Sequence, residues 1–220
     1  TGYSDMRFTA WERSHDSRSK EEIRDGRMTR VGLPRRYYEG LEDYFTRILT
    51  YPFIMNDHLS LQHPFEVGNG IYWRDARLKF FQDKKTIGVE FRPVAIQPSL
   101  HEDIAMMVFY LGRHFWSQAK KEPLLPIRYI RENKDSAMKN GINGKMYYRE
   151  NGNITLKSTK TVLYYELSLA KNGLEIFGAD QNDIDYFLNT LYERLPKGSP
   201  SDNFSLLVNE YRNNNNEQEN

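Results

Sequence analysis

Two short segments carry the side chains best placed for chemistry. Asp75-Ala76-Arg77 and Glu90-Phe91-Arg92 each set a carboxylate and a guanidinium two residues apart. In a β-strand, side chains at i and i+2 point to one side, so paired strands would gather all four groups on one face. An inward carboxylate is a ligand for a hard cation, and a neighbouring Arg offers planar donors to phosphate or carboxylate. The same pattern also describes a solvated face crossed by ion pairs, and spacing alone leaves both readings open.

The elements that must position these groups follow from periodicity. Alternation in Tyr72…Lys79 and Val89-Glu90-Phe91-Arg92, around the polar turn at 82–85, predicts an antiparallel hairpin over about 71–92. Before it, Leu41, Tyr44, Phe45, Ile48 and Leu49 recur at helical steps within 37–49. After it, Ser99 is placed to cap a helix over 100–120, with Ile104, Met107, Val108, Leu111 and Phe115 as its buried face. Further helices are expected over 127–140, 159–172 and 181–195, with a small hairpin within 144–156 and a last helix after Pro200. The first 36 residues, with nine Lys/Arg and six acids, read as a polar loop, and Asn213–Asn220 as a disordered Asn-rich tail after a domain ending near 212.

Composition narrows the chemistry. The chain has 220 residues, 39% hydrophobic and 14% aromatic, which suits a folded domain despite a mean hydropathy of -0.76. A net charge of +1 supplies no field for nucleic acid or an anionic bilayer, so neither partner is expected. The longest apolar run, Ile104–Leu111, is too short to span a membrane. With no Cys, disulfides, thiolate nucleophiles and Cys-ligated zinc are excluded, and a reducing, cytoplasmic setting is expected. The five His show no HxH or HExxH spacing, and no GxGxxG, GxxxxGK[ST] or GxSxG is present. Thr1 does not begin a signal or transit peptide, and the chain reads as trimmed.

Read in order, five segments resemble one family. Gly2-Tyr3-Ser4-Asp5-Met6-Arg7, then Trp11 and Arg18, are similar to a Gly-x-x-x-x-Arg…Trp…Asp-x-x-Arg stretch. Ile71–Lys79 and Gly88-Val89-Glu90-Phe91-Arg92 are similar to two strands, Gln97–Asp103 to a helix entry, and Glu132–Gly141 to a Glu-Asn-x-x-x-Ala-x-Arg-x-Gly helix. Together, across roughly residues 1–145, they resemble the glutamate–cysteine ligase and carboxylate–amine ligase family, most like its plant-type and YbdK-like branches.

The resemblance implies an α+β chain with a glutamine-synthetase-like catalytic fold, an antiparallel sheet covered by helices, of which this is the C-terminal part of a single domain. It implies an ATP- and Mg²⁺-dependent ligase that phosphorylates the γ-carboxylate of glutamate and joins it to an amine such as cysteine. By the same resemblance Glu90 is a metal ligand, Arg92 steadies the transferring phosphoryl group, and Arg7, Arg18 and Arg77 lie on the substrate and ATP side. The partner it leaves unseen is an N-terminal half with further metal ligands, and a homodimer stays open. This stretch alone is expected to be inactive. Ala95 stands where many relatives have Asp, and Lys139 where they have Arg, which leaves open both the amine and the alternative of a non-catalytic regulatory or interaction module.

Overall fold

A computed structural model describes residues 4–16, 18–25, 29, 31–50, 69–70, 74–81 and 86–216. The fold is α+β, and among the described residues each of its two sheets is a two-stranded antiparallel hairpin. The chain forms two compact units, Arg7–Val94 and Ala95–Asn220 with Thr1–Met6.

In the first unit, α1 (Arg7–His15) and α2 (Lys20–Arg24) replace the expected polar loop. The reason for α2 is a reciprocal cap: the Glu22 amide donates to Ser19 Oγ at 3.2 Å, and the Ser19 amide to Glu22 Oε2 at 2.9 Å. α3 (Leu41–Leu49) buries Tyr44, Arg47 and Ile48. It starts four residues later than the periodicity predicts because Gly40, at φ 152°, holds a conformation that breaks the helix. The strands β1 (Ala76–Phe81) and β2 (Thr86–Phe91) fall inside the predicted hairpin, with Arg77 opposite Glu90 and Leu78 opposite Val89. α3 packs on β1 through Tyr44, Phe45 and Ile48 against Leu78, with the Phe45 and Phe80 rings 6.1 Å apart.

The second unit is built on α4 (Leu100–Lys120), capped as expected by Ser99 Oγ, which accepts from the Glu102 amide at 3.2 Å. Next come α5 (Ile127–Asn140), closed by Gly141 at φ 54°, and a 3-10 turn over Gly141–Asn143. In the second hairpin, β3 (Lys145–Glu150) pairs with β4 (Asn153–Ser158). Its turn needs two positive φ values, and Asn151 (49°) and Gly152 (82°) supply them. The helices α6 (Thr159–Phe177), α7 (Gln181–Lys197) and α8 (Pro200–Asn216) complete the unit. α8 takes in the first residues of the stretch read as a tail; 217–220 lie outside the described residues.

The core of this unit is Ala105, Leu167, Leu174, Ile184, Leu188 and Leu191. The expected buried face of α4 is corrected here: Met107 and Leu111 are exposed, and Ala105 and Gly112 are buried instead. The same contact explains why α6 runs past the expected stop at Asn172. Gly173 lies inside the helix, where α4 and α6 approach so closely that a Cβ on Gly173 would sit 2.8 Å from the Trp116 amide nitrogen. A Cβ on Gly112 would sit 3.0 Å from Ala170 Cα. Small residues are required there by backbone proximity, and helix periodicity does not encode that need. Around the crossing, Arg113 reaches both Glu166 and Glu122, and Trp116 Nε1 donates to Glu122 Oε1 at 3.0 Å. Burial and the Glu166 charge push the Tyr148 phenol up to about 12.

Replacing Gly173 by Ala in an open helix would stabilise it by up to about 1 kcal/mol. At this crossing the added Cβ overlaps backbone, and overpacking costs about 1–3 kcal/mol. The net effect expected for Gly173→Ala is therefore a loss of stability, read as a lower urea midpoint at unchanged m-value.

Candidate active site

The hairpin brings the four predicted groups to one face. Arg77 and Glu90 are directly paired across the strands. Asp75 and Arg92 lie two residues beyond them on the same side, joined by a 2.8 Å bond from the Arg92 amide to the Asp75 carbonyl. Lys79 shares that side, opposite Gly88. The other side carries Leu78 and Phe80, which meet α3. Alternation thus separates the charged face from the apolar one.

Arg77 Nε donates to Glu90 Oε2 at 2.5 Å, and the two side chains are only 17% and 32% exposed. The Arg77 bond is the main cause holding the Glu90 carboxyl below its ordinary value, and the positive charges of Arg77, Arg92 and Lys79 add to it. Arg92 is half-buried; burial, and after it the like charge of Arg77, pull its guanidinium below its usual value. Arg77 Nη1 donates to the carbonyls of Asn69 and Gly70, both at 3.0 Å.

Arg92 and Asp75 also line a narrow cleft with Phe8, Trp11, Val31, Gly32 and Arg74. Arg7 flanks this region: Nη2 donates to the Pro93 carbonyl at 2.9 Å and its guanidinium lies 4.8 Å from the Phe8 ring centre. Arg18 closes its fork on Asp16, with Nε to Oδ1 at 2.8 Å and Nη2 to Oδ2 at 2.6 Å. Both carboxylate oxygens are engaged by a residue two positions away, which no motif in the sequence announces.

Three residues of this region escaped sequence reasoning. Arg74, 4% exposed, donates to the carbonyls of Thr29, Val31, Gly32 and Leu33 and so pins that segment beside the cleft. Asn69 is buried: its Oδ1 accepts from Tyr44 Oη at 2.7 Å, and its Nδ2 donates to the Leu78 carbonyl at 2.5 Å. Tyr44 Oη accepts in turn from the Leu78 amide at 3.0 Å. Tyr44 was legible only as a helix-face aromatic, and Asn69 gave no signal.

The Mg²⁺ implied beside Glu90 can be tested against these donors. A hard divalent cation takes a shell of oxygens. Among the described residues no three His, Cys, Asp or Glu side chains gather to hold one. Glu90 Oε2 is already bound to Arg77, and Arg92 and Lys79 stand on the same side. On their own these residues do not fit the ion; the face has two carboxylates against three cations and is suited to an anionic group.

A sequence model of glutamate-cysteine ligase matches residues 49–218. The chain belongs to the glutamate–cysteine ligase family. No curated protein and no solved structure matches it. The family match takes in Arg77, Glu90 and Arg92 and leaves Arg7 and Arg18 outside. It also extends through β3, β4, α6, α7 and α8, a stretch in which the sequence showed no resemblance. Among the described residues no helix is long and apolar enough to cross a membrane.

A carboxyl held lower in the folded chain than in the unfolded one stabilises the fold above the unfolded value, about 4.3 for Glu, and that contribution is lost as pH falls through the lower folded value. The protein is therefore expected to lose stability on acidification below about pH 4.3 more steeply than Glu90→Gln. Urea midpoints measured across that range would read the difference in slope.

Proposed function

We propose that this chain serves an ATP-dependent ligase reaction that forms a γ-glutamyl amide bond between glutamate and an amine such as cysteine. Family membership supports the ligase class, and the half-buried charged face of the first hairpin is the observation that carries the reading. In this reaction an oxygen of the γ-carboxylate attacks the terminal phosphorus of ATP and ADP leaves. The amine then attacks the acyl carbon, phosphate leaves, and the amine gives up a proton.

Both steps concentrate negative charge on phosphoryl oxygens, and phosphoryl transfer is accelerated mainly by positioned cations. Arg92 is our candidate for the catalytic cation: it is half-buried, and it shares its face with Arg77 and Lys79. A planar guanidinium matches a phosphoryl group in a way that an ammonium does not. Arg7, held against Pro93, is a second candidate contact on the substrate side. ATP and Mg²⁺ belong to the proposal as the cofactors of the family; no step is assigned to the ion through Glu90.

The test is ADP release by the full-length protein, supplied with Mg²⁺, glutamate and each of a panel of amines. Arg92→Lys, which keeps the charge and removes the planar fork, is expected to lower kcat by about a hundredfold and to move Tm by only a few degrees. ADP release that needs neither glutamate nor an amine would overturn the reading.

A further inference from the structure

We propose that Arg77 and Asn69 are positioning residues that hold the Glu90 carboxylate in place on the charged face, and that neither contacts a substrate. The resemblance had put Arg77 among the substrate- and ATP-binding arginines. Its donors argue otherwise. A guanidinium can present two edges for a two-point grip on phosphate or carboxylate, one through Nε and Nη2 and one through Nη1 and Nη2. In Arg77, Nε is given to Glu90 Oε2, and the two hydrogens of Nη1 go to the carbonyls of Asn69 and Gly70. Each edge has therefore lost one of its members. The side chain is 17% exposed and stands directly opposite Glu90 in the strand register, so it is aimed along the sheet.

The hold continues inward. Asn69 is 6% exposed, and its amide is fixed at both ends, by Tyr44 Oη and by the Leu78 carbonyl. Its own backbone carbonyl is one of the two that receive Arg77. An unbroken series of hydrogen bonds thus runs from Tyr44 on α3 through Asn69 and Arg77 to Glu90. An ion pair that served only to stabilise the hairpin would not need this anchoring, since a cross-strand pair forms without help from a third element. Anchoring of this kind is what a functional carboxylate needs to keep one orientation.

The consequence for catalysis rests on the ligase reading above; the hold on Glu90 does not. The experiment therefore has two arms on the full-length protein. In the first, Glu side chains are labelled with carbon-13 at the carboxyl, the Glu90 resonance is identified by its loss in Glu90→Gln, and its titration is followed by NMR. Arg77→Gln should raise the Glu90 midpoint toward that of an ordinary glutamate, Asn69→Ala should raise it by less, and Arg77→Lys should fall between Arg77→Gln and the unmodified protein. In the second arm, Arg77→Lys, which keeps the charge and so guards against simple loss of folding, should lower kcat by about tenfold to a hundredfold with KM for glutamate and ATP unchanged. An unmoved Glu90 midpoint in Arg77→Gln would overturn the inference. So would a raised KM at unchanged kcat in Arg77→Lys, which would make Arg77 a substrate contact. Absence of turnover in the unmodified protein would count against the ligase reading alone, because the titration would still report on the hold.

Discussion

Arg77 is where the backbone of one region and the side-chain chemistry of another are tied together. One of its nitrogens binds the Glu90 carboxylate across the strands, and another binds two carbonyls of the segment that precedes β1. The register of the hairpin, the orientation of Glu90 and the position of Asn69 under α3 all meet in that one planar group. Slipping the register by a single residue would turn Glu90 to the side occupied by Leu78 and Phe80 and leave a half-buried guanidinium without its counter-charge.

The unit Arg7–Val94 uses the same device elsewhere. Its buried hydrophobic residues among those described are few: Val31, Tyr44 and Ile48. Its buried polar side chains among those described are Arg47, Asn69 and Arg74. Arg47 lies over the Tyr38 ring, pairs with Asp43, and donates to the carbonyls of Arg36 and Tyr37. Arg74 gathers four carbonyls from residues 29–33. Irregular backbone leaves carbonyl groups that must find donors when buried. One guanidinium satisfies several of them at once, and the aliphatic stem below it supplies apolar contact. A loop-rich segment can be ordered this way without a large apolar core.

What the sequence disclosed and what it hid divide along physical lines. Period-2 alternation located the hairpin and paired Asp75 with Arg77 and Glu90 with Arg92 on one side of each strand, and the register that sets Arg77 opposite Glu90 brings the two pairs to one face. Ser99 and Gly141 fixed the limits of α4 and α5, since caps are local and their signals lie within a few residues of the helix end. The helix at Lys20–Arg24 carried the same kind of signal in Ser19 and Glu22, hidden by the surrounding charge. Other misses are long-range. Whether Met107 or Gly112 faces inward, and whether Asn69 matters at all, depend on which segments meet in space. Periodicity along the chain carries no record of that.

The crossing of α4 and α6 has a consequence for how this sequence can change. When two side chains collide in a core, a larger residue on one side can be accommodated by a smaller one opposite. At Gly112 and Gly173 the opposing atoms belong to main chain: Ala170 faces the first, and Gly112 and Trp116 face the second. Main chain is the same whatever residue bears it, so no partner substitution can make room. Each glycine is fixed independently of the other, and only a displacement of one whole helix would release either.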